Sequence, residues 1–140
     1  AGVVLQAEPP GTLAATDLAI DALLGLGSTR APAGQMAQWI QRMNAGPAPV
    51  LAVDVPTGLH ADTGALLAST PNTAVHAHHT LCLLGLKPGL FTGQGRDAAG
   101  QVWLEHTAGG TQHKGEWRAV ALRKPVQEGL SHATCGLHAD

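Results

Sequence analysis

Two apolar runs, each breaking into a polar cluster, organise the first half of this 140-residue chain. The first, Asp17-Leu-Ala-Ile-Asp-Ala-Leu-Leu24, empties into Gly25-Leu-Gly-Ser-Thr-Arg30. Its near-continuous apolar stretch from Leu18 to Leu24 predicts a central strand covered on both faces and stopped at Gly25 and Gly27. The second run, Val50 to Val55, predicts another strand and ends in Pro56-Thr-Gly58. Between them Met36, Trp39, Ile40 and Met43 recur at i, i+3, i+4 and i+7, while Gln35, Gln38, Gln41 and Arg42 take the other face. That pattern predicts an amphipathic helix. Pro32 suits its first turn, and Gly46-Pro47 stops it. A strand, a helix and a strand joined this closely predict parallel pairing.

Outside this unit the pattern is thinner. Gly2 to Gln6 predicts a short strand closed by Glu8-Pro-Pro-Gly11. Residues 60–77, with turn signals in Asp62-Thr-Gly64 and Ser69-Thr-Pro-Asn72, predict a loop with little regular structure. His79 to Leu84 predicts a third buried strand, ended by Gly85 and Lys87-Pro-Gly89. After the glycine-punctuated stretch Gly93 to Gly100, Gln101-Val-Trp-Leu-Glu105 alternates polar and apolar as an edge strand does. Beyond His106 no period is sustained. Trp117 to Leu122 predicts one strand at most, and residues 107–140 are expected to be a poorly ordered tail or linker, or to lean on a neighbouring domain.

Composition narrows the classes. With 44% hydrophobic residues the chain can fill a core as one domain. Eight Lys+Arg against ten Asp+Glu give a net charge of -2, and only 13% of residues are charged, so nucleic acid is not an expected partner. Aromatic residues make up 3%, too few for base-stacking platforms. Cys82 and Cys135 lie far apart and are expected as free thiols in a reducing compartment. No apolar run approaches the roughly 18 residues of a membrane span and the N-terminus lacks the basic region of a signal peptide, so a cytoplasmic location is expected. The chain opens on Ala1 without an initiator Met, as though it starts inside a larger protein.

The candidate chemistry sits where the two runs end. Asp21 and Asp54 each interrupt apolar sequence, where a buried charge is costly without a partner. Each is either a ligand-binding carboxylate or the cap of a neighbouring turn. Gly25 to Arg30 either wraps a phosphate or is an unliganded strand-to-helix turn, and its spacing is neither a dinucleotide fingerprint nor a Walker loop. Thr57 offers a hydroxyl to a monovalent cation or a sugar, or else caps a turn. His76, His78 and His79 lack companion ligands and are read as solvated or hydrogen-bonded, as are His113, His132 and His138. No nucleophile elbow occurs.

Four ordered blocks make the chain familiar: Asp21-Ala-Leu-Leu-Gly-Leu-Gly27, the helix ending near Asn44, Val53-Asp-Val-Pro-Thr-Gly-Leu59 with Asp62-Thr-Gly64, and Lys87-Pro-Gly-Leu90 with Gly93, Gly95-Arg-Asp97 and Gly100. From about residue 2 to about residue 105 the chain closely resembles the YjeF N-terminal family, the NAD(P)H-hydrate epimerases. These occur alone or fused to a dehydratase of ribokinase-like fold. The resemblance implies a three-layer α/β/α Rossmann-like fold with a mostly parallel sheet, and interconversion of the R and S epimers of hydrated NADH or NADPH. It implies that Asp21 and Thr57 are potassium ligands. Gly25, Leu26, Gly27, Ser28, Thr29, Arg30 and Ala31 would line the substrate, and Asp54 would be the acidic substrate contact; because epimerisation through an iminium-like cation needs a carboxylate to stabilise the charge and handle the proton, Asp54 is the expected catalytic residue. Family members commonly carry Ser where Thr57 stands, and the oxygen is kept. A preceding loop of the type Gly-Asn-Asn-Gly-Gly-Asp-Gly does not occur in these 140 residues. The chain is therefore expected to be the C-terminal portion of the domain, spanning residues 1–106, with impaired activity alone.

Expected partners are the hydrated nucleotide, a fused or separate dehydratase and a second copy in a homodimer, with no membrane. A rival from the binding class is a non-catalytic module holding a nucleotide or RNA-linked ligand; a third reading is a scaffold with no site. The enzymatic reading requires the two carboxyl groups to open on one crevice, with neither sealed against a buried basic partner.

Overall fold

The structure, a computed structural model, describes residues 11–70, 72–105 and 119–122. Its strands are β1 (Ala19–Asp21), β2 (Val50–Val53), β3 (His79–Cys82), β4 (Gln101–Glu105) and β5 (Ala119–Leu122). The helices are α1 (Gly34–Ala45) and the single turn α2 (Gly95–Ala98), preceded by a 3₁₀ turn at Pro88–Leu90. One sheet runs β1-β2-β3-β4-β5, parallel through the first four strands and antiparallel at β5. This is the expected α/β architecture. The strand expected at Gly2–Gln6, most of the 107–140 tail and Cys135 lie outside the described residues.

The helix forms where the 3.6-residue period places it. Ile40 is fully buried and packs with Ala19, Val50, Ala52, Val75 and Ala77, while Met36 and Met43 cover the margin of that cluster. At its end the Gly46 N–H donates to Arg42 O at 3.0 Å, and the backbone turns extended into Pro47. The described residues between 60 and 77 are loop, as expected, held by an isolated bridge between Leu59 and Leu66. The α2 turn has no apolar period to announce it. It forms because the chain can pass close there: a Cβ on Gly95 would lie 1.7 Å from Gly89 O.

The strands are shorter than the apolar runs, and each stops for a local reason. β1 ends at Asp21, whose carboxylate takes the Leu23 N–H at 3.3 Å and turns the backbone out of the ladder. β2 ends just before Asp54 and β3 two residues before Leu84; Asp54 and Leu84 have φ of 72° and 64°.

Two placements differ from expectation. The run at Leu18–Leu24 is not a central strand: among the described residues β1 forms the sheet edge, with Ile20 58% exposed. Apolar continuity was the signal for two-sided cover, yet only Ala19 and Asp21 face packed residues. Conversely, β4 is not an edge, because β3 and β5 flank it. Its alternation reflects one-sided burial. Register puts Val102 beside Thr80 on the packed face, and Trp103 beside Leu81 on the other.

The packed face carries both core clusters, the one under α1 and a second made by Val55, Leu59, Cys82, Leu90, Ala98, Ala99 and Val102. The opposite face presents Ile20, Leu51, Val53, Leu81 and Trp103, none fully buried. A third layer is not among the described residues. No described helix is long and apolar enough to cross a membrane.

Candidate active site

Parallel pairing brings the C-terminal ends of β1 and β2 to one rim, and there Asp21 and Thr57 meet. Asp21 is 1% exposed. Its Oδ2 accepts the Thr57 N–H at 2.8 Å, and its Oδ1 accepts the Thr57 hydroxyl at 2.7 Å. With its one proton given to Asp21, Thr57 Oγ1 accepts the Leu24 N–H at 3.1 Å and lies 3.4 Å from Leu24 O. Burial pushes the Asp21 carboxyl above the usual carboxylate range, and the bonds from Thr57 and Leu23 oppose that shift without cancelling it. Three oxygens of different type, from a carboxylate, a hydroxyl and a carbonyl, thus converge around a desolvated acid. Such an all-oxygen donor set fits a hard cation such as potassium.

Asp54 sits one strand over, immediately past β2. Its N–H donates to Leu81 O at 2.8 Å, which seats the residue against β3. Its Oδ1 accepts the Leu83 N–H at 3.2 Å and is ion-paired to Lys87 Nζ, which also donates to Leu83 O at 2.7 Å. Lys87 is 6% exposed overall, a depth at which a lysine needs a partner. Oδ2 accepts no hydrogen bond from the described residues and faces Gly25, where a Cβ would lie 4.0 Å away. The expectation that both acids open on one crevice with neither set against a buried basic partner is not met: Asp21 is 1% exposed and Asp54 is ion-paired to the buried Lys87, which leaves only Asp54 Oδ2 without a hydrogen bond from the described residues.

The stretch Leu24-Gly25 joins the two centres. Leu24 holds Thr57, which holds Asp21, and Gly25 stands beside Asp54 Oδ2. From there the loop Gly25 to Ala31 runs along the rim, largely exposed, with Gly27 at φ 85° and Ser28 Oγ donating to Gly25 O at 3.1 Å. Leu26 and Leu84 are exposed on the same rim, the latter 92%. Below Thr57, Gly58 has φ 94°, and a Cβ there would lie 2.4 Å from Thr73 O. Only glycine fits that turn.

The residue that sequence reasoning missed is Lys87. Its block Lys87-Pro-Gly89 was read as the stop of a strand, yet the strand it stops is β3, whose end lies on the same rim as Asp54. The histidines play other parts. His78 Nδ1 accepts the Val50 N–H at 3.0 Å, and His79 Nδ1 accepts the Trp103 indole N–H at 3.1 Å. Among the described residues no three His, Cys, Asp or Glu side chains gather as a metal site. Cys82 is a buried free thiol that burial pushes to higher pKa.

A profile of the YjeF-related protein N-terminus matches residues 2–89. The chain belongs to that family. Among curated relatives, the bifunctional NAD(P)H-hydrate repair enzyme Nnr of Escherichia coli is 48% identical over 89 residues, which are 64% of this chain and 16% of that protein. The bifunctional NAD(P)H-hydrate repair enzyme of Leishmania braziliensis is 40% identical over 107 residues, 76% of this chain and 18% of its own. The NAD(P)H-hydrate epimerase of Limosilactobacillus fermentum is 44% identical over 96 residues, 69% of this chain and 44% of that protein. This YjeF-related chain therefore spans under a fifth of the two bifunctional relatives and under half of the epimerase. Asp21, Asp54, Thr57 and Lys87 all fall inside the matched residues 2–89.

Proposed function

We propose that the rim formed by Asp21, Leu24, Gly25, Asp54, Thr57 and Lys87 takes part in epimerising hydrated NADH or NADPH. The observation that carries this is the half-open state of Asp54, with Oδ1 fixed by Lys87 and Leu83 and Oδ2 turned to the rim beside Gly25. The family relatives named for the hydrate supply the substrate class.

In the hydrate, a hydroxyl sits on a carbon next to the ring nitrogen. Proton transfer to that oxygen lets water depart while the nitrogen lone pair forms an iminium. Water then adds to the other face of the carbon and gives up a proton, which restores the starting composition with inverted configuration. A fixed carboxylate oxygen beside the ring stabilises the cation and receives that proton. Asp54 Oδ2 is our choice for that oxygen, with the Lys87 ammonium pairing the other oxygen and keeping the side chain from rotating away. The exposed loop Gly25 to Ala31 provides backbone N–H groups and the Arg30 charge for the diphosphate. Asp21, Thr57 and Leu24 O would hold a potassium ion, which when bound would supply positive charge to balance the diphosphate.

A thermal-shift titration with hydrated NADPH, in potassium and in a large organic cation, tests the reading on the chain itself. Stabilisation by the hydrate is expected, larger in potassium, and lost in Asp54→Asn. Silence toward both hydrate and potassium would favour a scaffold without a site.

A further inference from the structure

The paired strands β2 and β3 end in the same uncommon way. After β2 the Val55 N–H donates back to Val53 O at 2.9 Å, and the residue between them, Asp54, has φ 72°. After β3 the Gly85 N–H donates back to Leu83 O at 2.7 Å, around Leu84 at φ 64°. A bond from residue i+2 to residue i around a positive φ is the rare, strained form of the γ-turn. The first of these turns presents the Asp54 carboxylate to the rim. The second presents Leu84, which is 92% exposed and so buries almost nothing against the described residues. A bulky side chain at positive φ is unfavourable, and glycine, which the chain places one position later, would hold the turn without that cost. Strained residues persist where their surroundings fix them, and they gather at ligand sites. Here one residue fixes both turns. Leu83 donates its N–H to Asp54 Oδ1 at 3.2 Å, and its carbonyl accepts the Gly85 N–H and Lys87 Nζ, each at 2.7 Å.

We propose that Leu84 is a substrate-contacting residue of this site, an apolar wall on which the hydrated nicotinamide ring packs while Asp54 Oδ2 meets the ring's charge. The inference rests on the proposed epimerisation and adds to it the residue that reads the ring. Position favours the ring over the rest of the nucleotide. The reacting ring lies against Asp54, and Leu84 follows directly on the residue whose N–H holds that carboxylate. Adenine is separated from the ring by two riboses and a diphosphate, and those strongly hydrated groups gain nothing from a leucine. An apolar side chain beside the ring also displaces water, which strengthens the attraction between the carboxylate oxygen and the iminium charge.

Calorimetric titration of the full chain with two ligands tests this: hydrated NADH, and the hydrate of reduced nicotinamide mononucleotide, which keeps the ring and lacks the adenylate. Leu84→Gly is expected to weaken both at least about tenfold. It should not lower the thermal midpoint of the free chain, since it removes an exposed side chain and relieves the turn. Leu84→Asn tolerates positive φ but is polar, and should weaken binding as much. Leu84→Met keeps an apolar contact and should bind within about threefold of the parent chain. Unchanged affinity in Leu84→Gly and Leu84→Asn would overturn the proposal and leave the epimerase reading standing. A loss confined to hydrated NADH would set Leu84 against the adenylate and overturn it as well. So would a lowered midpoint in Leu84→Gly, which would make the leucine part of the fold. A parent chain that binds neither hydrate removes the epimerase reading, and this role with it.

Discussion

At the residue scale, the site turns on how two acids are held. Asp21 is desolvated and accepts three hydrogen bonds, and its folded-state carboxyl lies above the ordinary range. Between the unfolded and the raised folded value, the folded state holds a proton that the unfolded state has lost. In cation-free buffer this group therefore makes stability fall as pH rises through that window, and its contribution is fully favourable only below it. Asp21→Asn keeps the shape and removes the charge, so the variant should show a flatter stability profile than wild type as pH rises above the ordinary carboxylate range of about 4 in denaturant titrations. Potassium should raise the wild-type midpoint and leave the variant unmoved. Lys87 and Asp54 form a different case, a buried pair in which removing one partner strands the other. Lys87→Met is expected to lose about 3 kcal/mol in urea unfolding. Asp21, Asp54 and Thr57 were legible in the sequence because polar residues at the ends of apolar runs stand out. Lys87 was not, because a lysine between Leu86 and Pro88 reads as a surface residue until the pairing of β2 with β3 sets it beside Asp54.

At the scale of elements, the helix was readable to within a residue or two from periodicity and its stop signals. The strands were located but overextended, because apolar runs do not register where a side chain captures the next N–H, as Asp21 does with Leu23, or where φ turns positive, as at Asp54 and Leu84. The error at β4 has the same root: alternation reports how many faces are covered and is silent on how many neighbours a strand has. The turn Thr57-Gly58 connects element to site. Gly58→Ala places a methyl group against Thr73 O and Ala74 in a backbone conformation that alanine resists. A loss on the order of 2 kcal/mol or more is expected in thermal unfolding, together with loss of the potassium effect, since Thr57 moves with the turn. A Gly58→Ala protein of unchanged midpoint and potassium response would remove the turn from the site.

At the scale of the whole molecule, the described residues form one packed face and leave β1 at the sheet edge, with the candidate site at the rim where β1, β2 and β3 end. The sequence carried the family and the two acids, but it could not show that the strand bearing Asp21 is an edge among the described residues, because edge and centre differ only in what lies beside them. The chain spans under half of the Limosilactobacillus epimerase, so the proposed activity is best tested within that longer relative. In a chimera, residues 2–89 of this chain replace the aligned stretch of the Limosilactobacillus epimerase, and conversion of the separated S epimer of hydrated NADH is followed by chromatography in potassium, against the spontaneous rate. The expected result is epimerisation well above background in the chimera, slowed at least about a hundredfold by Asp54→Asn. An Asp54→Asn chimera that epimerises at the parent rate would contradict the role assigned to that carboxylate.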